Sequence, residues 1–400
     1  MKFLFVVDGR SPTAVNWISY FIQNGDEVHL VSSFPCDPIV GLASFRVIPL
    51  AFSQVQGEGK LAGKSSFLRK ALPVGMRTRL RQWLAPMTLS RGVRALRIAI
   101  NEVRPDLLHA MRIPYEGMLA AMAHELAGKD NVQPVIKRPL VLSVWGNDFT
   151  LHASSTHRMA DLTRRALRQA NGLHTDCLRD QKLAVKWGYE GNKPAIVLPG
   201  GGGIRMEVFH PDEKGIEGRE AVVINPRGFR AYVRNDTFFQ AIPWVLERLP
   251  ETRFLCPTMQ REPQAHKWTA AYGIGNSVEL LPFQNRHQMA ELYRQAGVVV
   301  SLTTHDGTPN TLLEAMACGC FPIVGDLESL REWIRHGENG LLVDPGDPRA
   351  IAEAIVMALS ELELRTRAAE INKKMILERA EYGQVMQKAQ EFYASLIKDS

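Results

Sequence analysis

The chain has 400 residues, 45% hydrophobic and 22% charged, with a formal net charge of +6. That composition is ordinary for a globular protein. The length suits two domains, and no apolar run approaches the ~20 residues of a membrane-spanning helix. Five cysteines, an odd number without paired spacings, argue against a disulfide framework and for a reducing cytoplasm. The positive balance suits anionic ligands or surfaces without choosing among them.

Lys2 to Val7 is an apolar run followed by Asp8-Gly9-Arg10, which reads as a first strand and not as a signal peptide. Asp8 to Pro12 makes a tight loop, Thr13 to Asn24 an amphipathic helix closed by Gly25, and Glu27 to Ser33 a second strand. Such a β-loop-α-β opening predicts a parallel sheet with right-handed crossovers, hence an α/β fold. Arg10 in the first loop can touch a phosphate or an acceptor, or simply lie on the surface.

From Lys60 to Pro105 eleven Lys and Arg stand against one acid, Glu102, with Leu72, Met76, Leu80, Trp83 and Leu84 threaded among them. A basic amphipathic segment with Trp fits an anionic membrane surface. It also fits a helix that packs its apolar stripe on the domain and keeps its arginines in water. Asp106 to Ala110 is the next strand and carries His109 toward a strand's carboxyl end, where open α/β sheets place ligand groups. Tyr115 to Gly128 reads as a helix, and Pro139 to Trp145 as a strand running into Gly146-Asn147-Asp148. A lone histidine there is either a hydrogen-bonded core residue or part of an acceptor site; Arg112 and Asp148 nearby keep the second reading open. Helices at Thr156 to Ala170 and Cys177 to Gly188 flank a strand at Gly172 to Thr175, and Ala195 to Leu198 is the last strand of this half. Pro199 to Gly203 breaks regular structure; without G-K-S/T or G-x-G-x-x-G spacing it reads as a domain exit. The expected division is 1–205 with the closing helix 382–400, and 206–381.

The second half restarts with a strand at Ala221 to Asn225, an arginine-rich loop from Pro226 to Arg234 and a helix from Asp236 to Leu249. Strands at Thr252 to Cys256 and Ser277 to Leu281, and a helix from Arg286 to Ala296, lead to a strand at Gly297 to Leu302. That strand empties into S-L-T-T-H-D-G-T-P-N-T-L-L-E-A-M-A-C-G, Ser301 to Gly319. Thr308 is placed to cap the helix that follows, with Pro309 in its first turn. The amides of Asn310, Thr311 and Leu312 would then be unpaired at the positive helix end, a ready anion site. Asp306 and Glu314 bracket it. An anion cradle flanked by acceptors suits a nucleotide sugar; an ordinary strand-to-helix turn with a solvated Asp and Glu has the same pattern. Cys318-Gly-Cys320 reads as small-residue packing, since no second Cys/His pair completes a zinc site.

The run from Asp306 to Asp326, D-G-T-P-N-T-L-L-E-A-M-A-C-G-C-F-P-I-V-G-D, resembles the E-G-x-P-x-x-L-L-E-A-M-A-x-G-x-P-V-V signature of retaining glycosyltransferase family four. Glu338 to Val343 and Gly346-Asp347 look like that family's N-G-L-L-V and G-D segments. The resemblance implies a GT-B fold, two doubly wound Rossmann-like domains facing across a cleft. It implies a retaining, metal-independent transfer from a nucleoside-diphosphate sugar, which is a substrate and not a cofactor; no metal is expected, and no D-x-D pair stands at a strand end. Glu314 would accept from the ribose hydroxyls and Asp306, at the family's first glutamate, from the donor sugar. Arg227 matches the arginine that holds the diphosphate; the partner lysine is absent, and Arg234 or Arg230 would replace it. The base would lie against Leu281 to Phe283, so Phe283 joins Gly307, Asn310, Thr311 and Leu312 as donor contacts. Leu107 to Met111 and Val144 to Asp148 resemble the H-x-H and H-G-x-D segments. They give His109 as a group assisting the transferred sugar, with Arg112 and Asp148 as acceptor-side residues; Arg10 joins these from Gly9-Arg10-Ser11-Pro12, where the family has a glycine-rich loop facing the cleft. Met111 and Trp145 stand where many members have histidines.

The partners expected are a nucleotide sugar, a sugar or lipid-linked acceptor and, through 60–105, an anionic membrane surface on the inner face of the cell membrane; no nucleic acid is expected. Two other classes stay open. A nucleotide-sugar 2-epimerase has the same architecture but needs no separate acceptor. A non-catalytic nucleotide-sugar-binding protein would account for Asp306, Met111 and the missing lysine.

Overall fold

The computed structural model describes residues 1–50, 83, 88–125, 138–212, 215, 219 and 221–398. Two compact units emerge, Met1–Gly202 with Val385–Ser400, and Gly203–Gln384. In the first unit the elements run β1 (Lys2–Val7), α1 (Pro12–Gln23), β2 (Glu27–Ser32), β3 (Ser44–Val47), α2 (Leu89–Val103), β4 (Leu107–Met111), α3 (Met118–Glu125), β5 (Leu140–Val144), α4 (His157–Gln169), β6 (Gly172–Thr175), α5 (Leu178–Lys186) and β7 (Ala195–Val197). All neighbours pair in parallel, in the order β3-β2-β1-β4-β5-β6-β7. The central strands are buried throughout, as a sheet covered on both faces requires. α1 starts at Pro12 because Ser11 caps it, its Oγ accepting from the Ala14 amide at 3.4 Å.

Two expectations need correction here. The helix expected from Tyr115 starts only at Met118, because Pro114 (ψ 121°) and Tyr115 (φ 71°) are non-helical and make a wide turn over Ile113–Gly117 first. The basic stretch 60–105 lies largely outside the described residues. Its last part, α2, buries Leu89, Val93, Leu96 and Ile100 in the core and exposes Arg91 and Arg94.

The second unit runs β8 (Val222–Ile224), α6 (Asn235–Arg248), β9 (Arg253–Cys256), α7 (Pro263–Ala271), β10 (Val278–Leu280), α8 (Arg286–Gln295), β11 (Val298–Ser301), α9 (Asn310–Ala317), β12 (Phe321–Gly325), β13 (Leu341–Val343), α10 (Pro348–Ser360), α11 (Leu362–Arg379) and α12 (Tyr382–Lys398). From Val385 onward α12 belongs to the first unit. The parallel sheet has the order β10-β9-β8-β11-β12-β13. One core holds Phe238, Phe239 and Val245 of α6 with Ile351 and Ile355 of α10. The other holds Tyr293 of α8, Leu313 and Met316 of α9, and Ile376 of α11. In both sheets successive crossovers run outward in one direction and then in the other. The reversal falls between β1 and β4 in the first unit and between β8 and β11 in the second, and loops leaving such strand pairs splay apart into a ligand crevice.

His109 stands in the middle of β4, not at its carboxyl end, and is fully buried. Its ring belongs to a hydrogen-bonded chain whose direction is fixed at both ends. Trp17 Nε1–H donates to the Tyr393 hydroxyl (3.0 Å), which donates to His109 Nδ1 (2.6 Å). His109 Nε2–H donates to Ser143 Oγ (2.7 Å), the Ser143 hydroxyl to His174 Nδ1 (2.8 Å), and His174 Nε2–H to the Leu198 carbonyl (2.9 Å). Burial favours neutral rings, and with both imidazoles neutral an indole N–H that can only donate and a carbonyl that can only accept fix every tautomer. Nothing of His109 is left for a substrate: it is a core residue.

Burial, with His174 as a lesser cause, holds His109 well below its ordinary pKa. Burial also lowers His174, to about 4, against the opposing pull of the Leu198 carbonyl. Both rings therefore bind fewer protons folded than unfolded between the folded values and ~6.5, and stability must fall as pH drops through that window. His174 alone should cost on the order of 3 kcal/mol by pH 4. Urea unfolding from pH 7 to 4.5 should show this slope in wild type and a shallower one in His174→Gln; parallel slopes would show that the chain is not neutral as drawn.

Candidate active site

In the second unit the reversal point brings two loops together, 225–234 after β8 and 302–309 after β11. They are zipped by backbone bonds from Arg234 N–H to Leu302 O (2.9 Å) and from Thr304 N–H to Tyr232 O (2.9 Å). Asn225 Oδ1 accepts from the Arg227 amide (3.1 Å), and Asn225 Nδ2 donates to Asn235 Oδ1 (3.0 Å), which sets the turn. The Arg227 guanidinium then reaches the opposite loop. Its Nη2 donates to Asp306 Oδ2 at 2.7 Å and its Nη1 to Thr311 Oγ1 at 3.3 Å. Both members of the ion pair are mostly enclosed, with side chains 13% and 15% exposed. The other Asp306 oxygen accepts from the Gly307 amide (3.2 Å). Gly325 at the end of β12 lets the loop come close, since a Cβ there would lie 2.6 Å from the Thr303 carbonyl.

The helix start differs from expectation by one residue. Pro309 occupies the capping position of α9, and Thr308 Oγ1 instead accepts from the Trp333 indole N–H (3.0 Å). Ser329 Oγ braces the same loop by donating to the Asp306 carbonyl (2.7 Å). Leu312 is also corrected: its amide is bonded to the Pro309 carbonyl at 3.0 Å and is not an open donor. The arrangement offers a guanidinium, a positive helix end and a carboxylate within one loop pair, a combination suited to an anion bearing hydroxyl groups.

Glu314 lies one turn further along α9. It is partly buried beside Tyr293, and burial raises its pKa to about 7 despite Arg286 and the Tyr293 phenol. Arg234 is held by Asp236, Nε to Oδ1 at 2.8 Å and Nη2 to Oδ2 at 2.9 Å, while exposed Arg230 bonds its neighbour's Phe229 carbonyl at 3.0 Å. Phe283 is 75% exposed on a loop pinned by Thr258 N–H to Pro282 O (3.1 Å). Thr258 itself has φ 65°, and a Cβ on Gly228 would lie 2.9 Å from its Oγ1, so the β8 and β9 loops also touch. Tyr293, Ser329, Trp333 and Thr258 carry no signal in the sequence, since each acts from another loop or helix.

In the first unit the reversal point holds Arg10 after β1 and Arg112 after β4. Arg10 is exposed, pairs with Asp8 (Nε to Oδ1 3.0 Å, Nη2 to Oδ2 2.9 Å) and lies 3.6 Å over the Phe34 ring. Arg112, at φ 119°, donates to Asp148 Oδ1 (3.0 Å) and Asn147 Oδ1 (2.9 Å). Asp148 is buried and also accepts from the Ile113 and Trp145 amides, both at 3.1 Å. Burial pushes its carboxyl up, and Arg112 opposes that. A non-glycine residue at positive φ is strained, and it persists because Asp148 fixes both its guanidinium and the next amide. Below it Asp176 Oδ2 accepts from Gly146 N–H (3.2 Å), and the buried Arg179 donates to Asp180 Oδ1 (2.8 Å) and the Gly146 carbonyl (2.7 Å). Arg112 and Asp148 thus form a built bracket, and Arg10 a surface pair.

Two doubly wound units of this kind make a GT-B fold. The structure is similar over 99% of this chain and 100% of the other to Anabaena HepE in complex with UDP and glucose, at 15% identity and a TM-score of 0.70. It is similar over the full length of both to a sucrose-phosphate synthase of Thermosynechococcus elongatus, at 15% identity and a TM-score of 0.75. Residues 209–375, most of the second unit, match the family described as glycosyl transferases group 1. An uncharacterized glycosyltransferase of Methanocaldococcus jannaschii is 27% identical over 38% of this chain and 40% of its own length. The N-acetyl-alpha-D-glucosaminyl L-malate synthase of Bacillus anthracis is 25% identical over 47% of this chain and 49% of its own. The chain thus spans less than half the length of these curated relatives.

The Glu314 value has a stability consequence. A carboxyl raised to about 7 binds more protons folded than unfolded between ~4.5 and 7, so its charge destabilises the fold as pH rises through that range. Glu314→Gln should therefore gain stability relative to wild type as pH goes from 5 to 8. A stability difference that stays constant across those pH values would place the carboxylate in water.

Proposed function

We propose that the protein is a retaining, metal-independent glycosyltransferase that moves a sugar from a nucleoside diphosphate to a sugar or lipid-linked acceptor. The observation that carries this reading is Arg227, held against Asp306 and Thr311 at the start of α9, within the stretch that matches the group 1 glycosyltransferase family. Arg227, Arg234 and the leading amides of α9 stabilise the departing diphosphate as charge develops on it, the electrostatic contribution that is usually the largest in catalysis. Asp306 accepts from hydroxyls of the transferred sugar, Glu314 from the ribose, and Phe283 lies against the base. The bond from the anomeric carbon to the diphosphate breaks, the acceptor oxygen attacks from the same face, and its proton passes to the leaving phosphate. That route needs no separate protein base. On the acceptor side Arg112, held by Asp148, meets the acceptor. The protein works in the cytoplasm and meets an anionic bilayer through 60–105.

A thermal-shift screen of nucleotide sugars, beginning with UDP-glucose because HepE was crystallised with UDP and glucose, identifies the donor. Glu314→Gln should weaken binding of the best donor by roughly 1.5–3 kcal/mol, the value of a charge-assisted hydrogen bond. Calorimetry giving wild-type affinity would remove Glu314 from the ribose site.

Arg227→Ala should lower kcat by roughly a hundredfold while changing KM less, because the diphosphate gains charge toward the transition state. Arg230→Ala should be milder than Arg234→Ala. The reverse order would make Arg230 the second phosphate ligand. Incubation with donor alone distinguishes transfer from epimerisation, which would change the donor's stereochemistry without an acceptor.

A further inference from the structure

The outer face of one helical layer in the first unit carries a second basic surface, separate from the donor loops. α2, α3 and α4 pack side by side on the sheet face that also holds Leu108, Leu140 and Leu142, and α5 follows over β6 and β7. The end of α5 meets α4 where Arg164 lies 5.1 Å over the Trp187 ring. Along α4 and α5 the exposed charged residues are Arg158, Arg164, Arg168, Lys182 and Lys186 against Asp161 alone, and Asp161 is already paired with Arg164 at 3.3 Å. Between these bases α5 turns apolar side chains outward: Leu178 and Val185, two turns apart on one stripe, are each 50% exposed. The two stand on one stripe of a nine-residue helix, flanked by Lys182 and Lys186. Bases around exposed aliphatic side chains suit a surface that is anionic outside and apolar beneath.

We propose that the α4–α5 face docks on an anionic lipid bilayer, with the lysines and arginines on lipid headgroups and Leu178 and Val185 reaching the acyl boundary. This rests on the membrane reading of 60–105 only in sharing its bilayer. The described end of that segment, α2, belongs to the same helical layer and exposes Arg91 and Arg94.

The test is co-sedimentation with phosphatidylglycerol-containing vesicles, pure phosphatidylcholine vesicles as the neutral arm, and dextran sulfate as a soluble polyanion. Arg158→Glu/Arg168→Glu/Lys182→Glu should weaken partitioning on the anionic vesicles by roughly a hundredfold, with unchanged thermal unfolding and unchanged donor affinity. Leu178→Ser/Val185→Ser should weaken it further at high salt, where the charge contribution fades. Wild-type pelleting of the triple variant, with loss only in Arg77→Glu/Arg79→Glu/Arg81→Glu, would overturn this surface and leave the 60–105 reading intact. Wild-type protein that binds dextran sulfate but neither vesicle would make the face a polyanion site and overturn the lipid assignment.

Discussion

Right-handed crossovers are the constraint from which the rest of this molecule follows. A parallel strand can be reached only by a crossover of one hand. A sheet that grows outward from its middle in both directions therefore leaves one strand pair whose exit loops turn away from each other. In the second unit that pair is β8 and β11. Arg227 and Asp306 come from these two loops, far apart in sequence, which the topology sets side by side and backbone bonds join, and their side chains meet at 2.7 Å. Gly325 then permits the approach, and Trp333 and Ser329 stiffen it from beneath.

The charge arrangement shows how such a loop pair can bind an anion without collapsing on itself. Asp306 neutralises Arg227 and Asp236 neutralises Arg234, so the positive potential there comes mainly from the first turn of α9 and from Arg230. Asp306 is one methylene shorter than the glutamate of the motif it resembles. That length lets a single carboxylate take both the Gly307 amide and the guanidinium, and so pin the loop to the helix start. Arg234 is held in a two-point pair by Asp236, while Arg230 donates to a neighbouring carbonyl, so an anion would compete with a carboxylate at the first and with a single carbonyl at the second.

Much of this was legible in the sequence, for reasons that are local. The runs at Lys2–Val7 and Gly172–Thr175 are apolar and bounded by turn residues, and their strands have the expected ends. β3 was not: Ser44–Val47 is a short, half-exposed edge strand that leaves hardly any period to read. The loop and helix start at 306–317 could be found because the motif is contiguous. Its supports could not, because Tyr293, Thr258 and Trp333 reach it across tertiary contacts that no spacing encodes. The start of α9 slipped by one residue for the same reason, Pro309 taking the capping position while the Thr308 hydroxyl accepts from the distant Trp333 indole.

His109 shows where sequence reasoning about strand ends has to stop. A motif delivers a histidine to a strand near the ligand edge, but the pleat decides which face it enters. Leu108 and Ala110 face the α2–α4 layer, so His109 must face the opposite side, where α1 and α12 lie over the sheet. Trp17 and Tyr393 wait there, and the ring becomes a link between a donor and an acceptor already fixed in direction. Arg112, just beyond the last residue of the same strand, escapes the pleat altogether. Its backbone leaves the sheet at φ 119°, and its side chain stands at the edge, held by a buried carboxylate. In an open parallel sheet the residue past the strand end, not the one within it, has the freedom to serve a ligand. The strain at Arg112 and the cost of burying Asp148 are the physical marks of that position.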